Sequence, residues 1–191
     1  MTATTSLSET DRRWLLVLAR RTLERLAPAG ATVPQEHLLI EGEIPPLTRE
    51  RRGAFVTLHT VDGDLRGCIG YVLPVGPLYR AVIENAVNAA RRDPRFPPVA
   101  THEVGRLRIE ISAMGAPEVV KNIEEIEVGR DGLILSDGAS RGLLLPQVAT
   151  EYGWDRETFL DHTCRKAGLP IGAWRHGHVR IERFSAEVFG E

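Results

Sequence analysis

Gly53-Ala-Phe-Val-Thr-Leu-His-Thr-Val-Asp-Gly-Asp-Leu-Arg-Gly-Cys-Ile-Gly-Tyr-Val-Leu73 is the stretch on which the fold turns. Two runs rich in apolar and β-branched residues, Gly53–Val61 and Leu65–Leu73, flank Asp62-Gly63-Asp64. An Asp-Gly pair between such runs is a strong hairpin signal. A two-residue Asp62-Gly63 turn pairs Val61 with Asp64, and therefore His59 with Arg66 and Thr57 with Cys68. It predicts His59, Thr57, Arg66 and Cys68 on one face, with His59 diagonal to Cys68. A one-residue change in the loop would send the pairs to opposite faces. The second strand is unusual, because Gly67 and Gly70 bracket Cys68. Glycine weakens a strand interior, so two of them predict a bend or a close approach of another group to the backbone.

Moving outward, Pro77–Arg92 (PLYRAVIENAVNAARR) opens with a proline suited to a first helical turn. Its apolar stripe of Leu78, Val82, Ala86 and Ala89 is small enough for close packing on a sheet. Asp93-Pro-Arg-Phe-Pro-Pro98 then halts the helix. Arg106–Met114 alternates, with Leu107, Ile109, Ile111 and Ala113 facing one way and Arg108, Glu110 and Ser112 the other, which predicts a strand with one polar face. Upstream, Ser8-Glu9-Thr10-Asp11 resembles a capping box and starts an amphipathic helix over Thr10–Ala27, ended by Pro28-Ala-Gly30. Residues 31–52 hold Pro34, Pro45 and Pro46 and predict an ordered connection. Beyond 120, Asp131-Gly132 and Asp137-Gly138 divide Ile123–Leu145 into a small β-meander. Helices are predicted at Pro146–Tyr152 and Asp155–Ala167, and a closing strand at His178–Phe189. Regular βαβ alternation is absent. The prediction is an α+β fold, a mainly antiparallel sheet flanked by helices, with a second, smaller β-rich lobe including about residues 120–150.

The chain has 191 residues, 42% hydrophobic and 26% charged, and a net charge of -2. That length supports one core, or one core with a smaller lobe. The charge balance gives no footprint for nucleic acid or a membrane surface. Nearly all the positive charge is arginine, since Lys121 and Lys166 are the only lysines. No segment approaches the roughly 18 uninterrupted apolar residues of a membrane span, and the polar Met1–Ser8 lacks a signal-peptide pattern. Two cysteines without CxxC spacing make neither a disulfide framework nor a zinc site. A cytoplasmic protein with reduced thiols is expected. No phosphate-loop or dinucleotide-binding glycine pattern occurs, and no cofactor or metal is expected.

Cys68 is the chain's nucleophile candidate. Beside Arg66 and His59 its thiolate would be favoured. Otherwise it is a small apolar residue in a crowded strand. Arg66 either clamps an anionic ligand or pairs with a carboxylate such as Glu110. Glu110 is a candidate general base on a polar, solvated face. Asp93 and Arg95 brace the turn after the helix, with a substrate-binding role for Arg95 as the alternative. Arg141, before an apolar strand, reaches either a groove between the lobes or solvent. Cys164 and His162 stand two apart in a helix and do not share a face, so Cys164 reads as packing. His176 and His178 lack a third metal ligand at convincing spacing.

Gly53-Ala-Phe-Val-Thr-Leu58, Leu65-Arg-Gly-Cys-Ile-Gly70, Asp93-Pro-Arg-Phe-Pro-Pro98, Arg141-Gly-Leu-Leu-Leu-Pro-Gln147 and Lys166-Ala-Gly-Leu-Pro170 occur in that order. Together they resemble the AMMECR domain family, also called AmmeMemoRadiSam system protein A. The resemblance implies a two-lobed α+β fold and a genomic association with a Memo-type protein and a radical SAM protein. It brings no assigned activity. Its LRGCIG motif carries Arg66, Gly67, Cys68 and Gly70; His59 lies just past the FVTL motif. Two functions follow as expectations. One is an enzyme, or enzyme component, in which Cys68, His59 and Glu110 act on a small anionic or acyl substrate held by Arg66, Gly67, Gly70, Arg95 and Arg141. The other is a non-catalytic module presenting the LRGCIG hairpin to a protein or metabolite.

Overall fold

The computed structural model describes residues 6–26 and 34–191. In chain order the elements are α1 (Glu9–Glu24), α2 (Glu36–Leu39), β1 (Ala54–His59), β2 (Leu65–Tyr71), α3 (Leu78–Arg91), α4 (Thr101–Val104), β3 (Arg108–Met114), β4 (Glu118–Val119), β5 (Asp131–Asp137), β6 (Ser140–Leu144), α5 (Pro146–Glu151), α6 (Arg156–Lys166) and β7 (Arg180–Gly190). The strand order is β2-β1-β3-β7-β5-β6, with β4 on β7. The pairings of β1 with β2 and β3, and of β5 with β6 and β7, are antiparallel. This is the α+β architecture expected from the sequence. No helix among the described residues is long and apolar enough to cross a membrane.

The chain divides into two compact units, Met1–Met114 with Glu187–Glu191, and Gly115–Ala186. In the first, α1 begins at a capping box, in which Ser8 Oγ accepts from the Asp11 amide at 3.1 Å and Asp11 returns the bond to the Ser8 amide at 2.9 Å. The expected stop at Pro28–Gly30 lies outside the described residues. Leu15, Leu18 and Leu23 of α1 join Leu78, Val82, Ile83 and Ala86 of α3, and Val56, Leu58, Ile109 and Ile111 of the sheet, in one core. The alanines of α3 permit the close approach that their size suggested: a Cβ at Gly67 would lie 2.2 Å from the Ala89 carbonyl oxygen. Asn85, almost fully buried, donates from Nδ2 to the Ala54 carbonyl at 3.1 Å and ties helix to strand.

The hairpin turn differs from the two-residue form. The Thr60 amide donates to the Asp64 carbonyl at 2.9 Å and the Gly63 amide to the Thr60 carbonyl at 3.1 Å, so the loop is Val61-Asp62-Gly63, with Gly63 at φ 92°. Only glycine takes that conformation cheaply. The longer loop pairs His59 with Leu65 rather than Arg66. A register shift between Leu58 and His59 then absorbs Arg66 as an extra residue, and Thr57 faces Cys68 as expected. The bulge cancels the loop, which is why one predicted pair survives and the other does not.

The second unit has its own core of Leu133, Leu135, Phe159, Leu160, Cys164 and Trp174. The expected meander over 123–145 is only the β5–β6 hairpin, since Ile123–Glu125 is a 3₁₀ turn. Asp131-Gly132 opens β5 instead of making a turn. The Phe184 ring lies 2.3 Å from where a Cβ at Gly132 would sit, so this glycine serves packing. The unit is broader than residues 120–150, because α5, α6 and much of β7 belong to it.

Candidate functional site

Leu58 and Gly67 face α3; the opposite face of the same strands carries Phe55, Thr57 and Cys68, all partly exposed. Thr57 is the Cα partner of Cys68 on one side and of Glu110 on the other, so Cys68, Thr57 and Glu110 form a row across β2, β1 and β3. The Thr57 hydroxyl donates to Cys68 Sγ at 3.2 Å. Glu110 is half-buried and has no ion pair among the described residues. In the next row a Cβ at Gly70 would fall 2.4 Å from Phe55 Cγ, because the Phe55 ring lies across the glycine.

β2 is an edge strand, and an unpaired edge leaves backbone donors and acceptors open. At Cys68 the Asp93-Pro-Arg95 segment closes it. Asp93 Oδ2 accepts from the Cys68 amide at 2.8 Å, and Arg95 Nη2 donates to the Cys68 carbonyl at 3.2 Å. Arg95 also forks onto Asp93, Nε to Oδ1 at 2.9 Å and Nη2 to Oδ2 at 2.7 Å. That hydrogen bond from Arg95 holds the buried Asp93 carboxyl far below the usual carboxylate range, outweighing the cost of burial. The guanidinium carbon of Arg95 lies 5.5 Å from the centre of the Phe96 ring. Asp93 and Arg95 thus brace the backbone of Cys68 as well as the turn after α3.

Arg66 goes elsewhere. Its Nε and Nη2 fork onto Glu103 at 2.9 and 3.1 Å, and Nη1 donates to the Pro97 carbonyl at 2.9 Å. Its carboxylate partner is therefore Glu103 and not Glu110. A bulge re-aims the side chain it carries, and Arg66 is the bulged residue. The fork holds Glu103 below its ordinary pKa, with help from the Ala100 amide. Glu103 was not legible as a partner, because it sits in a four-residue helix too short to leave a periodic signal. His59 Nδ1 lies 3.3 Å from the Gly63 carbonyl oxygen of its own turn.

Arg141 lies on β6 in the second unit, 3.7 Å from Glu182, which Arg180 also binds at 2.9 Å. Cys164 is fully buried, and desolvation pushes its thiol up. A depression of about 680 Å³ in this unit is lined by Glu124, Glu127, Arg130, Arg156 and Arg183 among others. Its arginines are held by carboxylates, Arg130 by Asp131 at 2.8 Å and Arg156 by Glu124. Among the described residues no group of three or more His, Cys, Asp or Glu is placed to hold a metal ion. The His176 and His178 rings stack, with centroids 5.7 Å apart.

The model of the AMMECR1 family matches residues 16–189. A Methanothermobacter thermautotrophicus protein is 45% identical over 192 residues, covering 97% of this chain and 96% of its own length. A Methanocaldococcus jannaschii protein is 49% identical over 154 residues, 77% of each chain. The crystal structure of an uncharacterized Pyrococcus horikoshii protein superposes with a TM-score of 0.74 at 39% identity, covering 97% of this chain and 93% of that one.

Proposed function

The chain belongs to the AMMECR1 family, and we propose that its working group is the Cys68 thiol, acting as a nucleophile on a small electrophilic substrate. The observation that carries this reading is the contrast within one residue. The Cys68 main chain is held at both its amide and its carbonyl, while the residue stays partly exposed and its sulfur meets only a hydroxyl donor among the described residues. Fixing the backbone that carries a reactive group lowers the entropic cost of attack. In the proposed step Sγ, as thiolate, forms a bond to the electrophilic carbon and the leaving group departs with its electron pair. The Thr57 hydroxyl keeps its proton on Sγ, so the thiol proton leaves through solvent to Glu110, the carboxylate in the same cross-strand row. Glu110 suits this role better than His59, which the bulge has moved along the hairpin and whose ring meets its own turn. Gly67 serves the packing of α3, and Gly70 makes room for Phe55.

Iodoacetamide labelling of the folded protein, followed by mass spectrometry at each cysteine, tests the reading. Cys68 should be alkylated at neutral pH while Cys164, with no exposed surface, stays unmodified until unfolding. An inert Cys68 would make it a packing residue and favour the binding-module reading. One observation already supports that second reading: Arg66 and Arg141 both meet carboxylates of the protein itself. Association with Memo-type and radical SAM proteins is proposed from family membership, and co-purification from the native host tests it.

A further inference from the structure

We infer that the electrophile taken by Cys68 carries an anionic group, and that Arg108 is the residue that selects it. The inference rests on the thiol reading above and gives that site its substrate class. Strand register orders the face that bears the thiol. Thr57 pairs with Cys68 on one side and Glu110 on the other, and in the next row His59 pairs with Leu65 and Arg108. Ile109 and Ile111 belong to the core with α3, so alternation along β3 turns Arg108 and Glu110 to the thiol's face. Arg108 therefore stands two strands and one row from Cys68, about 12 Å away between Cα atoms. That is a span for a ligand to bridge and not a contact. An electrophilic carbon at the sulfur leaves the far end of a small molecule within the sweep of the arginine side chain.

The cations that the sequence motifs supply are taken. Arg66 forks onto Glu103, Arg95 forks onto Asp93, and Arg141 lies by Glu182. Arg108 is exposed, and its side chain makes no hydrogen bond or ion pair among the described residues, although Glu110 follows it on the same face. Its guanidinium keeps its whole fork of donors for an incoming carboxylate or phosphate. The surroundings also direct an anion that way. Glu110 repels one lying straight along the Cys68 row. On the other side of that row the Phe55 ring covers Gly70 and offers an anion no donor. Glu191, beside Ile109 of β3, is held by Arg20 at 3.1 Å. The diagonal from Cys68 past His59 to Arg108 is the path that ends on a free cation.

The test is a ratio of alkylation rates at Cys68, read by mass spectrometry: N-(carboxypropyl)maleimide over its neutral isostere N-(carbamoylpropyl)maleimide. In either reaction the sulfur bonds to one carbon of the ring C=C, the other carbon takes a proton from water, and nothing leaves. Both reagents draw on the same thiolate population, so its size cancels from the ratio. Arg108→Gln should lower the ratio by about two- to fivefold, the range for one exposed charge interaction, at an unchanged melting temperature. Arg108→Lys should keep most of the preference, and molar salt should bring the wild type towards Arg108→Gln. Arg13→Gln removes the same charge from α1, which packs with α3 on the opposite face of the sheet, and should leave the ratio alone. An Arg108→Gln ratio equal to that of the wild type, or an equal fall in Arg13→Gln, overturns the inference and spares the thiol reading. A Cys68 inert to both maleimides overturns both.

Discussion

At the scale of single residues, the two glycines of β2 answer to different neighbours. Gly67 is held by α3, and the obstacle to any side chain is the Ala89 carbonyl, a backbone atom that cannot swing aside. At Gly70 the obstacles are the Ala54 carbonyl, 2.3 Å from the virtual Cβ, and the Phe55 ring. Valine prefers strands to glycine, but overpacking outweighs propensity here. Gly67→Val should destabilise by about 3 kcal/mol, at the upper end of overpacking costs, and lower the urea midpoint accordingly. Gly70→Val should also destabilise, and Gly70→Val with Phe55→Ala should recover part of the loss, because the ring is the softer obstacle. Equal or higher midpoints in both single variants would refute the close-approach reading.

At the scale of elements, the hairpin and its edge clamp decide the site. Two runs around Asp-Gly are enough to announce β1 and β2. The loop length is not announced, because both a two-residue turn and a three-residue turn ending in a left-handed glycine suit the same residues. Packing of Leu58 and Gly67 against α3 selects the bulge that restores the register. The clamp was half legible: Asp93 and Arg95 read as a turn brace, and only the fold shows that the braced backbone is Cys68. The clamp also has a pH signature. The folded Asp93 carboxyl titrates far below its unfolded value near 4. Its contribution is therefore complete above about pH 4 and is lost as pH falls through the folded pKa. Asp93→Asn should cost about 1.5–3 kcal/mol at pH 7, the range for bonds to a charged group. The gap between variant and wild type should shrink in acid, and denaturant midpoints at pH 7 and pH 3 measure it.

At the scale of the whole molecule, the chain's last five residues belong to the first unit. There Glu187 gathers charges: Arg52 Nη2 at 2.8 Å, Arg12 Nη2 at 2.9 Å, the Ser6 hydroxyl at 2.9 Å and the Leu7 amide at 3.1 Å. Burial pushes its carboxyl up, and the bonds from Arg52, Ser6 and Arg12 outweigh that and hold it low. Arg52 is 3% exposed and donates to the Met114 carbonyl at 2.8 Å, and its Nη1 has no partner among the described residues. Glu187→Ala would leave this guanidinium buried and unpaired, which costs about 3–5 kcal/mol. The loss should appear as an earlier unfolding transition of the first unit, read by protection of β1 and β3 amides from hydrogen exchange. Unchanged protection would show that Arg52 finds water when Glu187 is gone.

Local chemistry in the chain specifies much of this protein. The 3.6-residue and two-residue apolar periods, the Ser8 capping box, the proline stops and the Asp-Gly turn mark the main helices and strands, and the motif order marks the family. These signals act between residues a few positions apart, so they survive in one dimension. The long-range partners of Arg66, Arg95 and Glu187 do not. Glu103 is 37 positions from Arg66, Cys68 is 27 from Arg95, and Glu187 is 135 from Arg52. A guanidinium can meet any carboxylate, and nothing local ranks the candidates. Only the bulge, the strand edge and the return of β7 bring one acceptor within about 3 Å, where hydrogen-bond geometry makes the choice.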